Sequence, residues 1–177
     1  MLFPHTESRR VSLRPAGAED AATAYEILFR LGHPGLPLLD TFASSFGEGL
    51  GACFLVHRKD TGAVVGFATL SSPQAAGHLR MEVSLASETA AEFTTEVHAL
   101  TVNFAFAMWR TRKVYVHLNS PDTSGIGFDG AHASLLTPEA VLPDHTYAHG
   151  SLRDVHLFAI HRRDWDTLGV DLLKQIV

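Results

Sequence analysis

The stretch TAAEFTTEVHALTVNFAFAMWRTRKVYVHLN, residues 89–119, decides the fold. From Thr89 to about Arg110 it places Phe93, Val97, Leu100, Phe104 and Met108 at steps of three and four, the period of a helix with one apolar stripe facing a core. Lys113–Asn119 (KVYVHLN) then reads as a strand. A long helix delivered straight into a strand is a crossover, and a crossover allows parallel pairing inside a sheet.

Upstream lies a meander. Ala52–His57 and Ala63–Leu70 flank the turn Lys59-Asp60-Thr61-Gly62, and Leu79–Leu85 alternates as the next strand. Before it, Val11–Arg14 is a short apolar start. A helix follows from Glu19, with Ala21, Ala24, Tyr25, Leu28 and Leu31 on one face and Gly32 as its stop. Leu36–Phe46 reads as a second, shorter helix. Downstream, residues 120–138 read as irregular, Thr146–Ala148 and Val155–Arg162 as strands around His149-Gly150, and Trp165–Val177 as a closing helix. A meander joined to one crossover helix gives an α/β or α+β domain with a mixed sheet.

The chain has 177 residues, 46% of them hydrophobic and 11 of them Phe, enough for one core and hence one domain spanning 1–177. No apolar run suffices to span a bilayer as a helix, so no membrane partner is expected. MLFPHTESRR lacks the basic-then-apolar pattern of a secretory leader, and the single Cys53 excludes a disulfide framework; a cytoplasmic location is the expectation. With 14 Lys+Arg against 19 Asp+Glu, no basic field attracts DNA. Spacings among the 11 His, such as His145/His149 and His156/His161, suit no metal site, and no metal is expected. Arg110, Arg112 and Lys113 form a basic cluster that reads as a helix end complementing its dipole.

Several segments, in order, resemble the GNAT N-acetyltransferase superfamily, and within it the RimJ/RimL-type branch that acetylates N-terminal amines of ribosomal proteins. Val11-Ser-Leu-Arg-Pro-Ala followed by Glu19-Asp20 resembles its opening strand and helix; Gly62 and Gly66-Phe67 its hairpin; Arg80-Met-Glu82-Val83 its fourth strand. Thr95-Glu96 through Phe106 resembles its long helix, Val114–Asn119 its fifth strand, and Glu139–Leu142 with Asp144 and Tyr147 its late hairpin. Asp154–Ile160 with Arg163-Asp164-Trp165 resembles its closing "DvvlyaIlreeW". The resemblance implies a mostly antiparallel twisted sheet of about seven strands with a V-shaped cleft between strands 4 and 5. It also implies acetyl-CoA or a related acyl-CoA as donor and an amine of a small molecule or peptide as acceptor, with a homodimer as the expected assembly.

Carried onto this chain, the resemblance makes Glu82 the general base, and Ser120, Ser124 or Tyr147 the acid that protonates the leaving thiolate. Main chain at Val83, Ser84 and Leu85, the start of the long helix at Thr94 and Thr95, and Asn119 at the strand end are its donor-binding positions. His98 and His117 lie near the implied cleft. One departure stands out: no glycine occurs between Gly77 and Gly125, so Glu92 and Thr94 fall where the family's diphosphate loop carries glycines. Thr89-Ala-Ala-Glu92 instead matches a capping box, and a carboxylate there opposes a diphosphate by about 4 kcal/mol at close range. Two alternatives therefore stand beside acyl-CoA transfer: a non-CoA donor (a carrier-protein thioester or an aminoacyl-tRNA), or a catalytically silent binding module on the same fold.

Overall fold

In the computed structural model, which describes residues 2–86, 90–148 and 150–177, seven strands form one sheet. These are β1 (Val11–Pro15), β2 (Leu50–Arg58), β3 (Val64–Ser71), β4 (His78–Leu85), β5 (Lys113–Leu118), β6 (Thr137–Ala148) and β7 (Ser151–His161). They lie in the order β1-β2-β3-β4-β5-β7-β6, and every neighbouring pair is antiparallel except β4 and β5. Three helices position the site: α1 (Ala21–Arg30), α2 (Leu39–Ser44) and α3 (Ala90–Met108). The architecture is the mixed seven-stranded α/β sheet expected from the sequence. No helix among the described residues is long and apolar enough to cross a membrane.

The helix α3 is the crossover between β4 and β5, and it is buried on more than the one stripe expected. Phe93, Val97 and Leu100 are fully buried, but so are Ala99, Val102, Ala105 and Phe106. Met108 is 52% exposed, and Phe104 is half-buried, edge-on to Phe54 at 4.9 Å. Two further layers cause this. The N-terminal segment ties down through Asn103 Nδ2, which donates to the Phe3 carbonyl at 2.7 Å, and through buried Glu96, which accepts from the Ser8 hydroxyl and from Arg10 Nε at 2.5 Å. On the other flank, Trp165 is fully buried and its indole N–H approaches Asn103 Oδ1 at 3.4 Å.

Other differences have local causes. The expected strand Thr146–Ala148 begins at Thr137, because β6 is the sheet's outermost strand and tolerates Pro138 and Pro143 where an inner strand would not. The closing segment is a π-helical turn at Trp165–Gly169 followed by a helix at Val170–Ile176. Gly169 accommodates the Trp165 ring there, since a Cβ at Gly169 would lie 2.2 Å from the indole. The C-terminal carbonyls of α3 are met by Arg162, which donates to Phe106, Trp109 and Thr111 at 2.6–2.7 Å, and not by the Arg110–Lys113 cluster. Lys113 instead pairs with Glu139, and Arg112 donates to the Ala76 carbonyl.

Candidate active site

Parallel pairing of β4 with β5 runs from His78↔Lys113 to Met81↔Val116 and stops there. Beyond that point β4 stays with β3, through Thr69↔Glu82 to Gly66↔Leu85, while His117 and Leu118 of β5 stay with β7. The two strands part, and a cavity of about 480 Å³ opens between their ends. Glu82, Val83 and Ser84 form one wall; Val116 to Asn119 form the other. A peptide unit on the open side of such a fork keeps its polarity without a ladder partner, which suits it to hold a developing oxyanion.

The cleft is rich in imidazole. His33, His98, His117 and His145 all line it, together with Glu82 and Arg80. Glu82 Oε1 lies 2.8 Å from His33 Nε2, and Glu82 Oε2 accepts from Arg80 Nη2 at 3.3 Å. The hydrogen bond to His33 holds the Glu82 carboxyl below its usual range, aided by the Arg80 charge, and the same bond raises His33. The other ring nitrogen of His33, Nδ1, is buried without a hydrogen-bond partner. Burial, followed by Arg80, lowers His117.

His98 is the most perturbed, pushed down to about 4 by burial. Its Nδ1 sits 2.7 Å from the Thr94 carbonyl, which can only accept. Nδ1 therefore carries the proton and Nε2 the lone pair, a tautomer locked by the backbone of α3. Among the described residues no group of three or more His, Cys, Asp or Glu could hold a metal.

The residues singled out from sequence fare unequally. Val83, Ser84 and Asn119 line the cleft beside Glu82. Leu85 turns its side chain inward and is 8% exposed, so only its main chain could serve. Ser120 lies outside the cleft lining, its hydroxyl accepting from the Asp122 amide at 3.1 Å; Ser124 donates to Asp122 Oδ2 at 2.8 Å. Tyr147 is 68% exposed and pairs with Leu152 away from the cleft; His145 and Thr146 reach the cleft in its place. A register shift between Leu142 and Thr146, with Asp144 at φ +50°, re-aims that stretch of β6. The sequence singles out neither His33 nor, beyond a spacing with His149 that suits no metal site, His145. His33 stands just past the helix stop at Gly32, and its partner Glu82 is 49 positions away.

The start of α3, where a CoA diphosphate would lie, is engaged within the protein. Thr94 Oγ1 donates to the Gly125 carbonyl at 2.8 Å and Thr95 Oγ1 to the Gly127 carbonyl at 2.7 Å. Gly127 adopts φ +76° and presses so closely that a Cβ there would lie 2.5 Å from Thr94 Cγ2. Glu92 adds a carboxylate to the first turn, with Arg10 and Arg58 each 3.9 Å away. Thr89, the first residue of the expected capping box, lies outside the described residues. Among the described residues near this helix start the Thr94 and Thr95 hydroxyls are occupied, Glu92 adds a carboxylate that opposes a diphosphate, and the nearby guanidinium groups already face carboxylates.

No protein-family model and no curated protein matches this chain. Solved structures do. A mutant of the spermidine N-acetyltransferase SpeG from Vibrio cholerae is 13% identical, with 89% of this chain and 96% of that chain covered and a TM-score of 0.72. A chimera of the Vibrio cholerae SpeG with hSSAT is likewise 13% identical, covering 88% and 99%, at 0.74. A probable GNAT-family acetyltransferase from Chromobacterium violaceum is 20% identical, covering 92% and 88%, at 0.70. At these identities the likeness establishes the fold, which is the GNAT fold.

Proposed function

Because the chain carries the GNAT fold, we propose that it is an N-acyltransferase, moving an acetyl or related acyl group from a thioester to an amine. One observation carries the reading: the fork of β4 and β5 opens beside a hydrogen-bonded Glu82–His33 pair. An alkylammonium entering at Glu82 must lose a proton before its nitrogen can attack. The carboxylate attracts the cation, and the pair accepts the proton. The nitrogen then bonds the acyl carbon and the oxyanion rests on main-chain donors at the fork; as it collapses the carbon–sulfur bond breaks, and the thiolate takes up the second proton, which the bonded nitrogen sheds.

The Glu92 carboxylate in the first turn of α3, with the Thr94 and Thr95 hydroxyls already bound, favours a donor that makes no diphosphate contact there, such as an acyl group on a carrier protein, over free acetyl-CoA. Transfer assays with acetyl-CoA and with an acetylated carrier protein, each over a panel of amines, test both statements. Transfer from either donor supports the function, and a preference for the carrier supports the donor reading. Absence of transfer from both overturns the enzyme reading and leaves a binding module.

A further inference from the structure

A second cavity of about 220 Å³ meets the cleft at His33, Glu82 and Ser84, which line both. Its wall is aromatic: Phe42 of α2, Phe46 just beyond it and Phe67 of β3, with Leu28 of α1. The rings form a chain, Phe42 to Phe46 at 5.7 Å and Phe46 to Phe67 at 5.9 Å between centroids. Phe42 and Phe46 are only half-buried, so the wall offers apolar surface that the fold itself does not cover. Among the described residues Glu48, which lines the same cavity, has no ion-pair partner.

Resting on the N-acyltransferase reading, we infer that this cavity is the acceptor subsite and that its substrate class is a primary arylalkylamine, one aromatic ring joined to an ammonium group by a short arm. Size, wall and charge each point there. A cavity of about 150 Å³ holds a benzene molecule, so this one takes a single ring with a short arm. Phenylalanine faces favour both a flat apolar ring and a nearby cation. The carboxylates of Glu48 and Glu82 attract the ammonium, and Glu82 places it at the junction where the thioester cleft begins. An extended polyamine carries several ammonium groups and is met best by a carboxylate for each; here Glu48 and Glu82 are the two carboxylates, and the Phe42, Phe46 and Phe67 rings form a continuous apolar face.

Calorimetry on the full chain with no donor present tests this, using phenethylamine, ethylamine and spermidine as probes. Phenethylamine should bind at least about tenfold tighter than ethylamine, the gain from burying one ring, and tighter than spermidine. Phe46→Ala, checked for an unchanged far-ultraviolet spectrum, should erase the gain, and Glu48→Gln should weaken phenethylamine several-fold. Equal affinity for the three amines, no measurable binding, or an undiminished ring preference in Phe46→Ala overturns the assignment. Because binding is read without a donor, an absence of acyl transfer would count against the enzyme reading alone; ring-selective binding would still stand.

Discussion

His33 Nε2 and Glu82 Oε1, 2.8 Å apart, join the loop after α1 to the fourth strand at the point where the aromatic cavity and the β-fork meet. Each partner shifts the other: Glu82 is held below its usual range and His33 above its own. On the proposed function the two residues accept the proton as one unit, and their behaviour under mutation and pH tests that reading.

Glu82→Gln should lower acyl transfer by about a hundredfold or more while leaving the melting temperature nearly unchanged, since the carboxylate is 41% exposed. The transfer rate of the parent chain should rise with pH through the raised value of His33, and His33→Asn should remove that rise. A stopped-flow pH–rate profile of all three proteins checks both. On stability the signs differ for the two groups. The His33 contribution is full below its ordinary value of 6.5 and is lost as pH climbs through the raised folded value. The Glu82 contribution is present above 4.5 and is lost as pH falls through the depressed one.

Buried His98 predicts an acid weakness of a different origin. Its folded value is near 4 against an ordinary 6.5, so the unfolded chain takes up a proton that the folded one refuses. Stability is full above 6.5 and falls as pH drops toward 4, by up to about 3 kcal/mol from this group. His98→Leu should flatten that limb in urea titrations across the pH range. An acid limb as steep as the parent's would remove His98 as its cause.

Arg162→Met should cost about 2–4 kcal/mol, because three carbonyls at the end of α3 lose a charged donor at once. The melting temperature should fall by roughly 5–10 °C in a chain of this size. Arg162→Lys keeps the charge but not the fork, and should fall between the two.

Gly127→Ala should destabilise by about 2 kcal/mol or more, since the residue sits at φ +76° and its new methyl would meet Thr94 and Thr95. The same change should loosen the start of α3, read as faster amide exchange over the helix's first turns. Unchanged exchange would mean the 124–127 turn does not pin the helix.

Much of this architecture was legible in the sequence because it rests on local signals. The hairpin turn at Gly62, the stop at Gly32 and the period of α3 are each readable within a few positions. What escaped depends on distant or edge contacts. The irregular reading of 120–138 runs into the start of β6 at Thr137, and Pro138 and Pro143 stand within that strand because it lies at the sheet's edge. Tyr147 lies outside the cleft lining while His145 and Thr146 line it, after the register irregularity between Leu142 and Thr146. The burial of α3 on more than one face has no local signal because its second and third contacting layers come from residues 2–10 and 165–176. His33 has no local signature, since its role exists only through a partner on another element.

The helix carrying Phe42 buries none of its own residues, and glycines at positive φ stand on either side of it, Gly35 before and Gly47 and Gly49 after. Phe42 and Phe46 pack on the edge of the smaller core cluster without being enclosed by it. If the acceptor proposal holds, this segment is where a redesign of substrate preference would begin, with the sheet and the fork left as they are.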